Sequence, residues 1–154
     1  MANESLEGCG CPPSALPDPQ TSGVHHVILT VNDLGRSRPF YAALMPSLGY
    51  GEKWEAAGAR VIGWAGAGGS FWIKQADARY AGDTFSKDRV GLCEVAFRAE
   101  SREQVDSLAR RVVDWGGRIL DPPREYPRYA AGYYSVFFAD PDGIKLELVF
   151  LPTP

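Results

Sequence analysis

The sequence predicts an α+β fold: two tandem βαβββ modules that together supply eight strands of a mixed sheet, with the helices outside. Three observations predict it. The chain repeats itself after an offset of 68 residues, the distance from Gly23 to Gly91, and the register holds without a gap from Gly23 to Gly49. Each half opens on strict strand-type alternation. Each then runs through a helical period to a glycine. In this register Gly23-Val24-His25-His26-Val27 falls on Gly91-Leu92-Cys93-Glu94-Val95. Phe40 falls on Leu108, Leu44 on Val112, Met45 on Val113 and Gly49 on Gly117.

Taken in order, residues 1–22 carry Pro12, Pro13, Pro17 and Pro19 and no apolar period. Such a segment cannot offset its ordering entropy by burial, so a disordered tail is expected. It has neither a basic start nor an apolar stretch of the secretory kind, which makes the cytoplasm the expected location. The first module spans 23–77, a linker 78–90 and the second module 91–151.

In the first strand Val27, Leu29 and Val31 share one face, and His26, Ile28 and Thr30 share the other. The helix that follows is expected to begin near Ser37, which puts Pro39 in a first turn where it is tolerated. Strand-like runs follow at 50–55, 59–65 and 70–75. In the second half Cys93, Val95 and Phe97 alternate with Glu94, Ala96 and Arg98. Ser101 with Gln104 three residues later is a capping box. Val105, Leu108 and Val112 then recur at helical spacing, and Gly116-Gly117 ends the helix. Runs at 118–120, 133–139 and 144–151 complete the module, with Asp140-Pro141-Asp142-Gly143 as the turn between the last two.

Composition removes several classes of function. Of the 154 residues, 45% are apolar and 23% charged, as in an ordinary globular domain. A chain of this length buries a core without disulfides or a structural metal. No apolar run approaches the ~20 residues of a membrane helix. A net charge of −3 gives no global basic field for nucleic acid or an anionic membrane. Three cysteines are an odd count. Cys93 is expected to be a small buried hydrophobe, and Cys9 and Cys11 make a weak metal signal. There is no nucleophile elbow, phosphate loop or CxxC pair.

Three polar residues stand where alternation points them away from the helix-covered side. His26 and Glu94 occupy the same position of the repeat. Glu147 lies between Leu146 and Leu148, so it shares a face with Lys145 and Val149. On the concave face of a curved sheet these three could chelate a divalent cation. The alternative is a set of polar residues that simply face water. His25 has the opposite parity and becomes a ligand only if a bulge inverts the register.

The segments His26-Val27-Ile28-Leu29-Thr30-Val31-Asn32-Asp33-Leu34, Phe40-Tyr41, Leu48-Gly49-Tyr50 and Asp140-Pro141-Asp142-Gly143-Ile144-Lys145-Leu146-Glu147-Leu148 resemble the vicinal oxygen chelate superfamily. That group includes glyoxalase I, methylmalonyl-CoA epimerase, extradiol dioxygenases, and fosfomycin and bleomycin resistance proteins. The resemblance runs from Gly23 to Phe150 and implies paired βαβββ modules forming a cupped sheet. It carries the metal ligands to His26, Glu94 and Glu147. The sequence departs from the pattern in two places. Glu94 stands where histidine is common, and the fourth strand offers no carboxylate.

One imidazole with two carboxylates is a hard, oxygen-rich set that favours Mn, Mg, Zn, Fe or Ni over copper. Open positions on such an ion would polarise a substrate oxygen. The resemblance thus implies a lyase, isomerase or dioxygenase acting on a small oxygen-rich molecule. The alternative it leaves is a metal-free ligand-binding protein of the bleomycin-resistance kind. A loop at 124–132 is expected to close over the cup, with Arg124, Arg128, Tyr129, Tyr133 and Tyr134 as substrate-binding residues. No general base can be assigned. A homodimer is expected, with the cup formed within one chain or by exchange between two.

Overall fold

The computed structural model describes residues 23–55, 58–66 and 69–152. The proposed tail and Cys9 and Cys11 lie outside them. The element order is β1 (His26–Val31), α1 (Leu34–Ser47), β2 (Glu52–Trp54), β3 (Val61–Gly66) and β4 (Gly69–Gln75), then β5 (Val95–Arg98), α2 (Arg102–Val112), β6 (Arg118–Glu125), β7 (Tyr134–Ala139) and β8 (Lys145–Phe150). This is βαβββ twice. The strands divide into two mixed sheets of four, ordered β1-β4-β3-β2 and β5-β8-β7-β6. In each, the first strand of the module lies at one edge, parallel to the last.

The repeat holds at the level of packing. Leu29 and Phe97, Val31 and Ala99, Phe40 and Leu108, and Leu44 and Val112 are all buried. The two helices begin 68 residues apart, at Leu34 and Arg102. The register slips only at their ends. Gly49 has φ +84° after α1, but after α2 the left-handed residue is Gly116 with φ +91°. Gly117 serves packing instead, since a Cβ there would fall 2.6 Å from Phe40 and 2.8 Å from the Ala139 carbonyl.

Three local expectations need correction. Helix α1 begins at Leu34 and not near Ser37, because Asp33 caps it by accepting from the N–H groups of Gly35 at 2.8 Å and Arg36 at 3.2 Å. Pro39 therefore sits in the second turn. Strand β6 extends to Glu125 through Pro122 and Pro123, with irregular pairing on either side of Asp121. An edge strand tolerates residues that cannot donate to a ladder, and β6 is such an edge. Cys93 is exposed, because β5 begins two residues later, at Val95.

The helix-bearing faces of both sheets meet in one core. It joins Leu29, Val31, Phe71 and Ile73 of the first sheet to Phe97, Val136, Phe138, Leu146 and Leu148 of the second. Helix α1 touches both sheets, with Tyr41 stacked on Phe71 (5.6 Å between ring centres) and Phe40 against Phe138 (6.5 Å). The turn 140–143 clasps the modules together. The Asp142 side chain accepts the Asn32 N–H at 2.7 Å and pairs with Arg36, and Asp140 accepts the Tyr41 hydroxyl at 2.9 Å.

Candidate functional site

Because the helix-bearing faces share one core, the other face of each sheet looks outward. His26 stands on the outer face of the first sheet, and Glu94, Lys145 and Glu147 on that of the second. In β1 the burial pattern shows the parity read from the sequence. Leu29 and Val31 are buried while His26, Ile28 and Thr30 are exposed. His26 belongs to the first sheet, and the two carboxylates lie on or beside strands of the second. Among the described residues, no three His, Cys, Asp or Glu side chains are grouped to hold a metal ion. The expected convergence of His26, Glu94 and Glu147 does not occur within one chain.

Glu147 is 2% exposed, unusual for a carboxylate on an outer sheet face. Two hydroxyls compensate its burial. Its Oε1 accepts from Tyr133 Oη at 2.7 Å and from Ser135 Oγ at 2.6 Å. Burial first, and the Glu147 carboxylate second, push the Tyr133 phenol well above its ordinary range, so it remains an O–H donor. Glu94 carries a different partner, the Lys145 ammonium at 2.5 Å, which also lies 4.4 Å from the centre of the Phe137 ring.

The segment between β6 and β7 folds over this face as an aromatic cover. Tyr126 packs edge-on against Phe137 at 5.3 Å and stacks with Tyr129 at 5.7 Å, and Tyr129 meets Tyr133 at 5.2 Å. Arg124 lies over Tyr126 and Arg128 over Tyr129, each 4.8 Å from the ring centre. Arg124, Arg128, Tyr129 and Tyr133 therefore form one group. Tyr134 does not join it. Its hydroxyl donates to Asp106 of α2 at 2.8 Å, on the helix side of the sheet. Alternation along β7 carries that signal, since Tyr133 and Ser135 share a parity that Tyr134 lacks. The same signal finds Ser135, which the sequence reading passed over.

The repeat register also explains the missing carboxylate of the first module. Ile28 pairs with Trp72 in the first sheet, and the equivalent Ala96 pairs with Glu147 in the second. Trp72 thus occupies the position of Glu147. Its indole lies over Gly63, where a Cβ would come within 2.2 Å of the ring, and its Nε1 donates to Ser70 at 2.8 Å. Trp54, 53% exposed, meets it edge-on at 5.5 Å. Beside His26, the described side chains of the first module offer an indole surface. His25 and His26 are both exposed, their Nδ1 atoms 2.9 Å apart.

Comparison with known proteins agrees with this geometry. Residues 23–148 match the Glyoxalase/Bleomycin resistance protein/Dioxygenase superfamily. The chain belongs to that superfamily. It is 38% identical over 128 residues to the uncharacterized protein YqjT of Bacillus subtilis (strain 168), covering 82% of this chain and 97% of that one. A solved structure from Bacillus halodurans is 31% identical with a TM-score of 0.71, covering 85% of this chain and 97% of the other. A glyoxalase/bleomycin resistance protein from Albidiferax ferrireducens T118 is 27% identical with a TM-score of 0.68, over 84% and 98% of the two chains. Among the described residues no helix is long and apolar enough to cross a membrane.

Proposed function

We propose that this protein is a metal-dependent enzyme of the glyoxalase and dioxygenase type, acting on a small oxygen-rich molecule, with each site assembled from two copies of the chain. His26 comes from one copy, and Glu94 and Glu147 from the other. One observation carries this reading. His26 and Glu94 hold equivalent repeat positions at sheet edges, on β1 and just before β5, yet the shared core turns their faces apart. A homodimer joining unlike outer faces would reunite them, and unpaired strand edges favour such pairing.

One imidazole and two carboxylates suit a hard or borderline divalent ion such as Mn, Zn, Fe, Ni or Mg, provided that Glu94 exchanges the Lys145 ammonium for it. Such an ion, when bound, polarises a substrate oxygen and stabilises the negative charge that develops there. The chain's own residues do the rest. Tyr133 and Ser135 hold the Glu147 carboxylate in one orientation. The Tyr133 hydroxyl stays protonated and keeps its single donor on that carboxylate. Tyr129, Arg124 and Arg128 bind the substrate and exclude water from Glu147.

The second reading, a metal-free ligand-binding protein, is favoured by the Lys145–Glu94 ion pair, which sets a cation where the ion would sit. Two measurements separate them. Wild type purified without chelator is analysed for metal and titrated with Mn²⁺, Zn²⁺, Fe²⁺ and Ni²⁺. His26→Ala and Glu147→Gln are then titrated alone and after mixing with subunit exchange. Each variant alone should fail to bind. The mixture should regain about a quarter of the wild-type sites, since half the dimers are mixed and each mixed dimer holds one intact site. Absence of micromolar binding by wild type would replace the enzyme reading with the ligand-binding one.

A further inference from the structure

Beside the Glu147 face, the start of the β6–β7 loop forms a cleft of about 260 Å³ lined by Arg124, Glu125, Tyr126, Pro127 and Arg128. Its charges do not cancel. Arg124 pairs with Asp121 at 2.5 Å, and Glu125 with Arg102 at 2.6 Å. Arg128 has no acidic partner among the described residues and donates only to the Tyr129 hydroxyl, at 3.0 Å. The floor of the cleft holds a second unspent donor. Tyr126 is 4% exposed, and its hydroxyl completes no hydrogen bond among the described residues. A buried phenol left unpaired costs free energy that a bound acceptor would recover. Burial also holds this phenol above its ordinary range, so it keeps its proton.

The cleft is built before any ligand arrives. The Tyr126 and Tyr133 backbones are joined at 2.8 Å, and those of Tyr129 and Tyr126 at 2.9 Å. Gly132 (φ +74°) packs so closely on Pro152 that a Cβ would fall 2.8 Å from its ring. The Arg128 guanidinium and the Tyr126 O–H are donors without a charged acceptor in this small cleft, and Arg124, held by Asp121, adds a second positive charge to its wall.

We propose that the cleft between Arg124 and Arg128 is an oxyanion site that receives the carboxylate or phosphoryl end of the ligand. This assigns a substrate class to the site proposed above and rests on that reading for its place in catalysis. Anion binding itself needs no metal, so the two fail separately.

The test is calorimetric titration of the whole protein with inorganic phosphate and, separately, with benzoate, in EDTA-containing buffer of low ionic strength. Saturable binding of either ion, one per chain, is expected. Phosphate alone would mark a phosphoryl ligand, and benzoate alone a carboxylate. Arg128→Gln should weaken binding by about tenfold or more, the worth of one charge-assisted hydrogen bond. Tyr126→Phe should weaken it severalfold without lowering Tm, because the hydroxyl completes no hydrogen bond among the described residues. Asp121→Asn should strengthen it, by releasing Arg124. The proposal is overturned if neither ion binds saturably, if Arg128→Gln and Tyr126→Phe bind as wild type does, or if Tyr126→Phe lowers Tm.

Discussion

At the scale of single residues, Asp140 shows how a surface turn acquires a buried charge. It is 3% exposed, and its Oδ1 accepts the N–H groups of Asp142 at 2.9 Å and Ile144 at 2.8 Å while Oδ2 accepts the Tyr41 hydroxyl. Desolvation outweighs these bonds and raises its pKa from 3.8 to about 6. Folding therefore favours the protonated form. The stability this contributes is fully present below about pH 4 and is lost as the pH rises to about 6, a change of about 3 kcal/mol. Asp140→Asn should remove this part of the pH dependence. Denaturant titrations between pH 4 and 7 would show it as a wild-type-minus-variant difference that shrinks as pH rises. Parallel curves would contradict it. The carboxylates Glu55, Asp77 and Glu103, whose pKa values are lowered, bias both proteins equally in the opposite direction.

At the scale of elements, caps and close contacts decide where each begins and what it carries. Ser101 Oγ accepts the Gln104 N–H at 3.2 Å, and the Gln104 side chain reaches back to the Glu100 N–H at 2.7 Å. Ser101→Ala should cost about 1 kcal/mol, read from the shift of the denaturation midpoint. Gly63 shapes the outer face of the first sheet. Gly63→Ala drives a methyl into the Trp72 ring and should cost about 1–3 kcal/mol unless the indole swings away. Near-ultraviolet circular dichroism would register that swing, and an unchanged spectrum with unchanged stability would refute the packing described. The capping box of α2 was legible because it is local. The start of α1 was not, because the prolines suggested a later beginning than the Asp33 cap allows. Nor was the length of β6, since only its place at a sheet edge makes Pro122 and Pro123 acceptable there.

At the scale of the whole molecule, one core serves both modules. Buried residues from both sheets and both helices form a single cluster, and the 140–143 turn ties the second module to Asn32, Arg36 and Tyr41 of the first. Unfolding should therefore be a single transition, with calorimetric and van't Hoff enthalpies equal. Two resolved transitions would show that the modules fold separately. Asp142, with 4% of its side chain exposed, makes two of the contacts of that junction. Asp142→Ala leaves the Asn32 N–H and the Arg36 guanidinium without this acceptor and should cost about 1–3 kcal/mol.

The sequence by itself determined the modules, their order and the face each residue takes within its own strand. Those properties follow from periods of 2 and 3.6 residues, from caps and from turn chemistry, all set within a few positions along the chain. It also marked His26, Glu94 and Glu147 as polar residues on the outer side of their strands. The tertiary structure alone decided how the two sheets stand to one another. Each sheet has one strongly apolar face, and joining these two faces in one core removes the most apolar surface from water. That choice separates His26 from Glu147, leaves Lys145 to neutralise Glu94, and lets the 126–133 segment cover Glu147. None of these follows from local pattern, because each depends on contacts between residues far apart in the chain.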